Sequence, residues 1–153
     1  MIFRKARISD AEKMAVLINQ YAEKGLMLHR TISFLYQKIR DYTVIERNGK
    51  IIGVGGLHVL WKDLAEICSV AIQPESLKNG LGFKLVETLL DESRVLEIER
   101  VFVLTYQPLF FEKCGFKRIE KESLPQKVWT ECINCPKFPN CDEIALLKRL
   151  TLE

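Results

Sequence analysis

Apolar and polar positions alternate over residues 2–6, the mark of a short opening strand. Ser9 and Glu12 stand at capping-box spacing, and Met14, Leu17, Ile18 and Tyr21 then recur at helical intervals until Gly25 supplies a C-cap. A second helix opens at Thr31 or Ser33 and carries Phe34, Leu35 and Ile39 to about residue 40. Residues 42–47 and 51–60 are β-rich runs joined by Asn48-Gly49, a strong hairpin signal. Gly53, Gly55 and Gly56 weaken the second run and point to a bulge or the close approach of a neighbour. Residues 61–64 read as a loop, and 65–72 as a strand that stops before Pro74. Leu85, Leu89, Val95 and Leu96 predict an amphipathic helix over 82–96, and 100–105 is apolar enough for a buried strand. Residues 108–113 form a short helix with Pro108 at its start and Gly115 beyond its end. Two closing strands, 116–120 and 143–150, flank a long loop bearing Pro and Cys. The order β-α-α-β-β-β-α-β-α-β-β is a mixed α/β layout, an antiparallel meander feeding a strand–loop–helix–strand crossover.

Composition narrows the class. A chain of 153 residues, 48% hydrophobic and 28% charged, suits one domain over 1–153, with the Cys-bearing loop at 130–142. The net charge is +3, and Lys and Arg are interspersed with Glu and Asp, so one anionic ligand fits but nucleic acid is not expected as a partner. No run approaches the roughly 18 apolar residues that span a bilayer, and the opening segment has no signal-peptide core. The expected compartment is cytoplasmic, away from membranes, with five mostly reduced cysteines. Cys68 and Cys114, alone in apolar segments, read as small core residues.

The chemistry concentrates where the strand ending Val70-Ala71-Ile72 passes through Lys78-Asn79-Gly80-Leu81-Gly82-Phe83-Lys84 into a helix. Glycines let backbone approach an anion, and the first helical N–H groups and the dipole stabilise phosphate oxygens. A lone Gly-x-Gly is more often an unliganded connection, so context has to carry the assignment.

That context resembles the GNAT acetyltransferases: the strand, the loop, the amphipathic helix, the next buried strand and Leu109-Phe110-Phe111-Glu112-Lys113-Cys114-Gly115-Phe116 follow in the family's order. The resemblance runs to about Leu150 and implies that this loop binds the pyrophosphate of acetyl-CoA, the expected cosubstrate, with no metal required. It implies a mostly antiparallel sheet whose parallel pair splays, so that backbone at Val70, Ala71 and Ile72 meets pantetheine, with Lys78, Asn79, Gly80, Leu81, Gly82, Phe83 and Phe111 also around the cofactor. Two departures stand out. Leu77 and Lys78 replace the family's usual Gln or Arg followed by Gly, and Phe111 occupies the place where many members keep a Tyr acid.

A closer likeness, to the short N-acetylglutamate synthases, rests on Lys24-Gly25-Leu26-Met27-Leu28-His29-Arg30, Trp61-Lys62-Asp63-Leu64-Ala65-Glu66-Ile67, Val103-Leu104-Thr105-Tyr106-Gln107-Pro108 and Leu124-Pro125-Gln126-Lys127-Val128-Trp129 through Cys141-Asp142-Glu143. Cys68 and Gln126 depart from that subgroup, where Arg and His are commoner. The likeness implies L-glutamate as acceptor, the Glu66 carboxylate as base and Arg30 as the acceptor-carboxylate ligand, with Lys62 as a further cation. Read alone, Glu66 is equally a solvated strand residue and Arg30 an exposed charge. Thr105 or Tyr106 can offer a hydroxyl to the departing thiolate, although Tyr106 can equally pack beside Trp61. His29 and His58 stand at no metal-ligand spacing, and His58 reads as an ordinary strand residue.

Cys132, Cys135 and Cys141 make a partial zinc corner with three thiols where four ligands are wanted. A metal-free structural loop is the first expectation there, zinc the second and an oxidised pair the third. The loop could wall the acceptor site or meet a second subunit, which leaves room for a homodimer. Two other functions compete: the same fold acting on another amine or a protein N-terminus, and a non-catalytic CoA-binding or interaction module.

Overall fold

The computed structural model describes residues 1–125 and 142–151, and the cysteines at 132, 135 and 141 lie outside the described residues. Among the described residues the elements follow the expected order, as β1 (Ile2–Lys5), α1 (Ala11–Glu23), α2 (Ile32–Gln37), β2 (Tyr42–Arg47), β3 (Lys50–Trp61), β4 (Leu64–Ile72), α3 (Leu81–Val95), β5 (Arg100–Thr105), α4 (Pro108–Lys113), β6 (Lys117–Ile119) and β7 (Ile144–Arg149). The expected break over 61–64 closes to a tight hairpin, because Trp61 and Leu64 themselves pair.

Among the described residues seven strands form one sheet in the order β1-β2-β3-β4-β5-β7-β6, all neighbours antiparallel except the β4–β5 pair. Alternation along each strand sorts side chains to two faces. One face meets α1 and α2 through Met14, Ile18, Leu35, Tyr42, Val44, Val54 and Ala71. The other meets α3 and α4 through Leu57, Ala65, Ile67, Val86, Leu89, Val103 and Phe111. Burying strand faces on both sides is what a parallel crossover requires.

Local signals act much as their chemistry predicts, with one correction. Thr31 caps α2, its Oγ1 accepting from the Phe34 N–H at 3.0 Å. Ser9 and Glu12 do not cap α1. A 3-10 turn, Ile8–Asp10, precedes the helix, and the Asp10 carboxylate accepts from the Arg7 N–H at 2.7 Å while gripping Arg4 at 2.8 Å. That carboxylate ties the turn to β1 ahead of the helix, and α1 itself has no side-chain cap. The β3 glycines mark close approach: a Cβ on Gly53 would lie 2.7 Å from Ile45 Cδ1, and one on Gly56 2.9 Å from Cys68 Sγ.

Candidate active site

The parallel pair stops short. Pairing of β4 with β5 runs from Leu64–Arg100 to Ile67–Val103, although β4 continues to Ile72 and β5 to Thr105. The cause lies in β4. Between Cys68–Gly56 and Ala71–Val54 the strand holds one residue more than β3 opposite it, a bulge. Ser69 sits in that bulge at φ 53°, a left-handed conformation rare for a residue with a Cβ. Beyond it β4 parts from β5, and backbone amides and carbonyls face the gap.

The gap leads to the start of α3. Gly80 adopts φ 68° as the N-cap of this helix and contributes no side-chain cap, so the N–H groups of Leu81, Gly82 and Phe83 lack acceptors within the helix. Leu81 buries its side chain in the core, Phe83 and Asn79 are exposed, and Lys78 belongs to the 3-10 turn Pro74–Asn79. A Cβ on Gly82 would come within 3.2 Å of Phe110 Cζ, so its bareness brings α4 close to the helix start. Phe111, 4% exposed, meets Phe110 and Phe116 edge-to-face at 5.0 and 5.6 Å and is a core side chain.

On the α1/α2 face the strands set out two rows. Tyr42, Gly56 and Cys68 lie abreast, and beside them His58, Glu66 and Phe102. Glu66 belongs to this face because its neighbours Ala65 and Ile67 point to the other. Burial pushes the Cys68 thiol up to about 12; the Glu66 and Asp41 charges push the same way, and Arg30 pulls against them. The Tyr42 phenol is also raised, first by burial and then by Cys68, while a hydrogen bond with Ser69 lowers it. Arg30 and Glu66, 36 positions apart, therefore bear on one thiol.

Arg30 is held on two sides. Its backbone is clamped by Asn19, which donates to the Arg30 carbonyl and accepts from its N–H, both at 2.9 Å. Its guanidinium lies 4.4 Å from the centre of the Phe34 ring, a cation–π contact. Its Nε is buried without a hydrogen-bond partner among the described residues.

The remaining candidates separate. Thr105 is buried on the α3/α4 face, across the sheet from Glu66, and its Oγ1 accepts from the Gln107 N–H at 2.8 Å. Tyr106 donates its phenolic hydrogen to Asp142, a contact beyond the alternatives of acid or neighbour of Trp61. Lys62 is exposed in the β3–β4 turn, at the far end of β4 from Ser69, and is not brought to Arg30. Sequence reasoning missed Asn19 and the Asp41–His58 pair, whose Oδ2 and Nδ1 stand 3.0 Å apart. The hint was an Asp one residue before a strand and a His on the neighbouring strand, visible only once the register is known. No group of three His, Cys, Asp or Glu side chains among the described residues is placed to hold a metal, and none of the described helices is long and apolar enough to cross a membrane.

Comparison with known proteins agrees with this geometry. The sequence model of the "Acetyltransferase (GNAT) family" matches residues 12–116. An uncharacterized N-acetyltransferase of Chlorobaculum tepidum is 42% identical over 96% of this chain and 95% of its own length. An amino-acid acetyltransferase of Mycobacterium tuberculosis is 38% identical over 85% of this chain and 76% of its own. The crystal structure of N-acetylglutamate synthase from Neisseria gonorrhoeae, complexed with coenzyme A and N-acetyl-glutamate, superposes with a TM-score of 0.90 at 26% identity, over 98% of this chain and 35% of that one. The splayed parallel pair, the uncapped helix start beside it and these matches converge: the chain belongs to the GNAT family and is an acetyltransferase that uses acetyl-CoA.

Proposed function

We propose that this enzyme moves the acetyl group of acetyl-CoA to the α-amino group of L-glutamate by direct attack in a ternary complex. The observation that carries the reading is Arg30, on the same face as Glu66, whose buried Nε lacks a hydrogen-bond partner among the described residues. A buried donor left unsatisfied costs about 1–3 kcal/mol, and a carboxylate from the acceptor supplies the missing bond in fork geometry. The names of the mycobacterial relative and the gonococcal structure support an amino-acid acceptor and, within that class, glutamate.

In this reading the α3 start holds the CoA pyrophosphate with the Leu81, Gly82 and Phe83 N–H groups, and the backbone of Val70, Ala71 and Ile72 holds pantetheine. Glu66 takes a proton from the acceptor ammonium, because only the free amine attacks a thioester. Phe111 has no proton to give. Of the two hydroxyls near the end of β5, Thr105 uses its oxygen as an acceptor and keeps its hydrogen for the thiolate, whereas Tyr106 spends its hydrogen on Asp142. Thr105 is therefore the donor in this scheme.

Thiol release from acetyl-CoA, measured with each amino acid in turn, tests the acceptor. L-Glutamate is expected to give the highest kcat/KM, and preference for another amine overturns the acceptor while leaving the donor chemistry intact. Glu66→Gln is expected to lower kcat roughly 10²–10⁴-fold with CoA affinity unchanged. Activity near wild type in that variant overturns the base.

A further inference from the structure

The strand that leaves the parallel pair is tied to α1 by one side chain. Tyr21, near the end of α1, donates its phenolic hydrogen to the carbonyl of Ile72, the last residue of β4. Where that carbonyl points follows from the register. The Gln73 N–H donates to the Ile52 carbonyl at 2.7 Å, and the backbone groups of successive strand residues point to opposite sides. Ile72, the partner of Gly53, therefore turns its own N–H and C=O away from β3. That side is the gap: pairing with β5 ends at Ile67, and among the described residues no strand covers β4 beyond it. Ile72 sends its side chain to Leu81 and Leu85 of α3, whereas α1 packs on the opposite face. Tyr21 reaches the carbonyl only by coming round to the free edge of the strand.

The phenol is suited to this place. Burial raises it above its ordinary range, with the Glu75 charge second, so it stays protonated and a donor. It is half-buried and borders a groove of about 180 Å³ with Gln20, Glu23, Lys24 and Pro74, where a ligand can approach from solvent. A free strand edge offers its unpaired groups to whatever lies alongside, the neighbouring strand included. With the Ile72 carbonyl taken, the edge keeps the N–H of that residue for a ligand and is held to α1. We propose that Tyr21 is a positioning residue for the donor: its hydroxyl ties the free end of β4 to α1 and so fixes the edge along which the pantetheine arm of acetyl-CoA lies. The proposal rests on the reading of Val70, Ala71 and Ile72 as the pantetheine strand.

Tyr21→Phe removes one hydroxyl and keeps the ring. Calorimetry with CoA and with adenosine 3′-phosphate 5′-diphosphate, which has the pyrophosphate but no pantetheine, separates the two ends of the ligand. CoA is expected to bind about 3–10-fold more weakly, the worth of one hydrogen bond, and the nucleotide as in wild type. In thiol release with L-glutamate the acetyl-CoA KM should rise by a similar factor, while kcat and the glutamate KM hold. CoA affinity equal to wild type overturns the proposal. So does a loss shared equally by CoA and the nucleotide, because Tyr21 then supports the whole region and not the pantetheine edge. Hydrogen exchange in the wild type keeps the two readings apart. CoA protection of the Ile72 amide beside unchanged affinity in Tyr21→Phe overturns the tether alone; no protection there overturns the pantetheine strand and the tether with it. Should Tyr21→Phe not fold, Tyr21→Met, an apolar residue of good helix propensity, decides by the same two affinities.

Discussion

At the scale of single residues, Arg30 is fixed by its neighbours, which gives the proposed acceptor role a definite test. Asn19 fixes its backbone from both sides, and Phe34 supports the guanidinium. Arg30→Lys keeps the charge but loses the fork, so KM for glutamate is expected to rise about 10–100-fold while KM for acetyl-CoA barely moves. Asn19→Ala should raise the same KM by a smaller factor, and a rise in acetyl-CoA KM in either variant would place Arg30 at the donor. The thiols give a second expectation. Burial raises Cys68 to about 12 and Cys114 to about 11, above the ordinary 9. A raised acid stays protonated in the folded chain while the unfolded chain ionises, so their contribution to stability is intact below about pH 9 and lost as pH rises through 11 and 12. Urea midpoints across that range should fall with pH, and the fall should shrink in Cys68→Ser. The strings around Glu66 and Arg30 singled these two residues out, and the fold brings both to bear on Cys68. Asp41–His58 and Asn19–Arg30 were not legible, because each is made by tertiary register between segments that share no local pattern.

Elements were legible wherever periodicity and punctuation agreed. Asn48-Gly49 turned β2 into β3 with both residues at positive φ, and Gly115 at φ 94° followed α4. The exception at Ser9 shows the limit: the chain enters α1 through a 3-10 turn that Asp10 ties to Arg4, and the helix start carries no side-chain cap. The β4 bulge was hidden for a related reason. The glycines of β3 announced irregularity, but the extra residue and the positive φ fell on Ser69 across from them. That conformation costs on the order of 1–3 kcal/mol, and it turns β4 away from β5. Ser69→Val puts a β-branched residue into the left-handed region and is expected to destabilise by about 1–3 kcal/mol. It should also weaken CoA binding, as the strand straightens toward its neighbour. Ser69→Gly accepts the same φ and should retain CoA affinity; calorimetric titration of both variants compares them, and equal affinity in Ser69→Val would remove the bulge from the donor site.

At the scale of the whole molecule, the sheet is two units joined by a short seam. The β1-β2-β3-β4 meander could be anticipated from hairpin signals, but the insertion of β7 between β5 and β6 could not, since it reflects pairing over a long stretch of chain. The seam is the four-residue parallel match of Leu64–Ile67 with Arg100–Val103, with α3 and its apolar stripe bridging the α3/α4 face. A donor lying in the gap above Ile67 would touch both units and the start of α3 together. CoA binding should therefore act on this seam more than on the outer strands. A ligand at 100 times its Kd stabilises the fold by about 2.7 kcal/mol, which in a domain of this length raises Tm by roughly 5–10 °C. Hydrogen exchange should locate that gain. Amides of Cys68, Ser69 and Val70 and of the first turn of α3 are expected to exchange quickly in the free enzyme and to slow markedly with CoA. Those of the β1–β2 and β2–β3 ladders, already paired, should change little. Protection spread evenly over all seven strands, or absent from residues 68–70 and 81–83, would mean that the donor does not lie between β4 and β5.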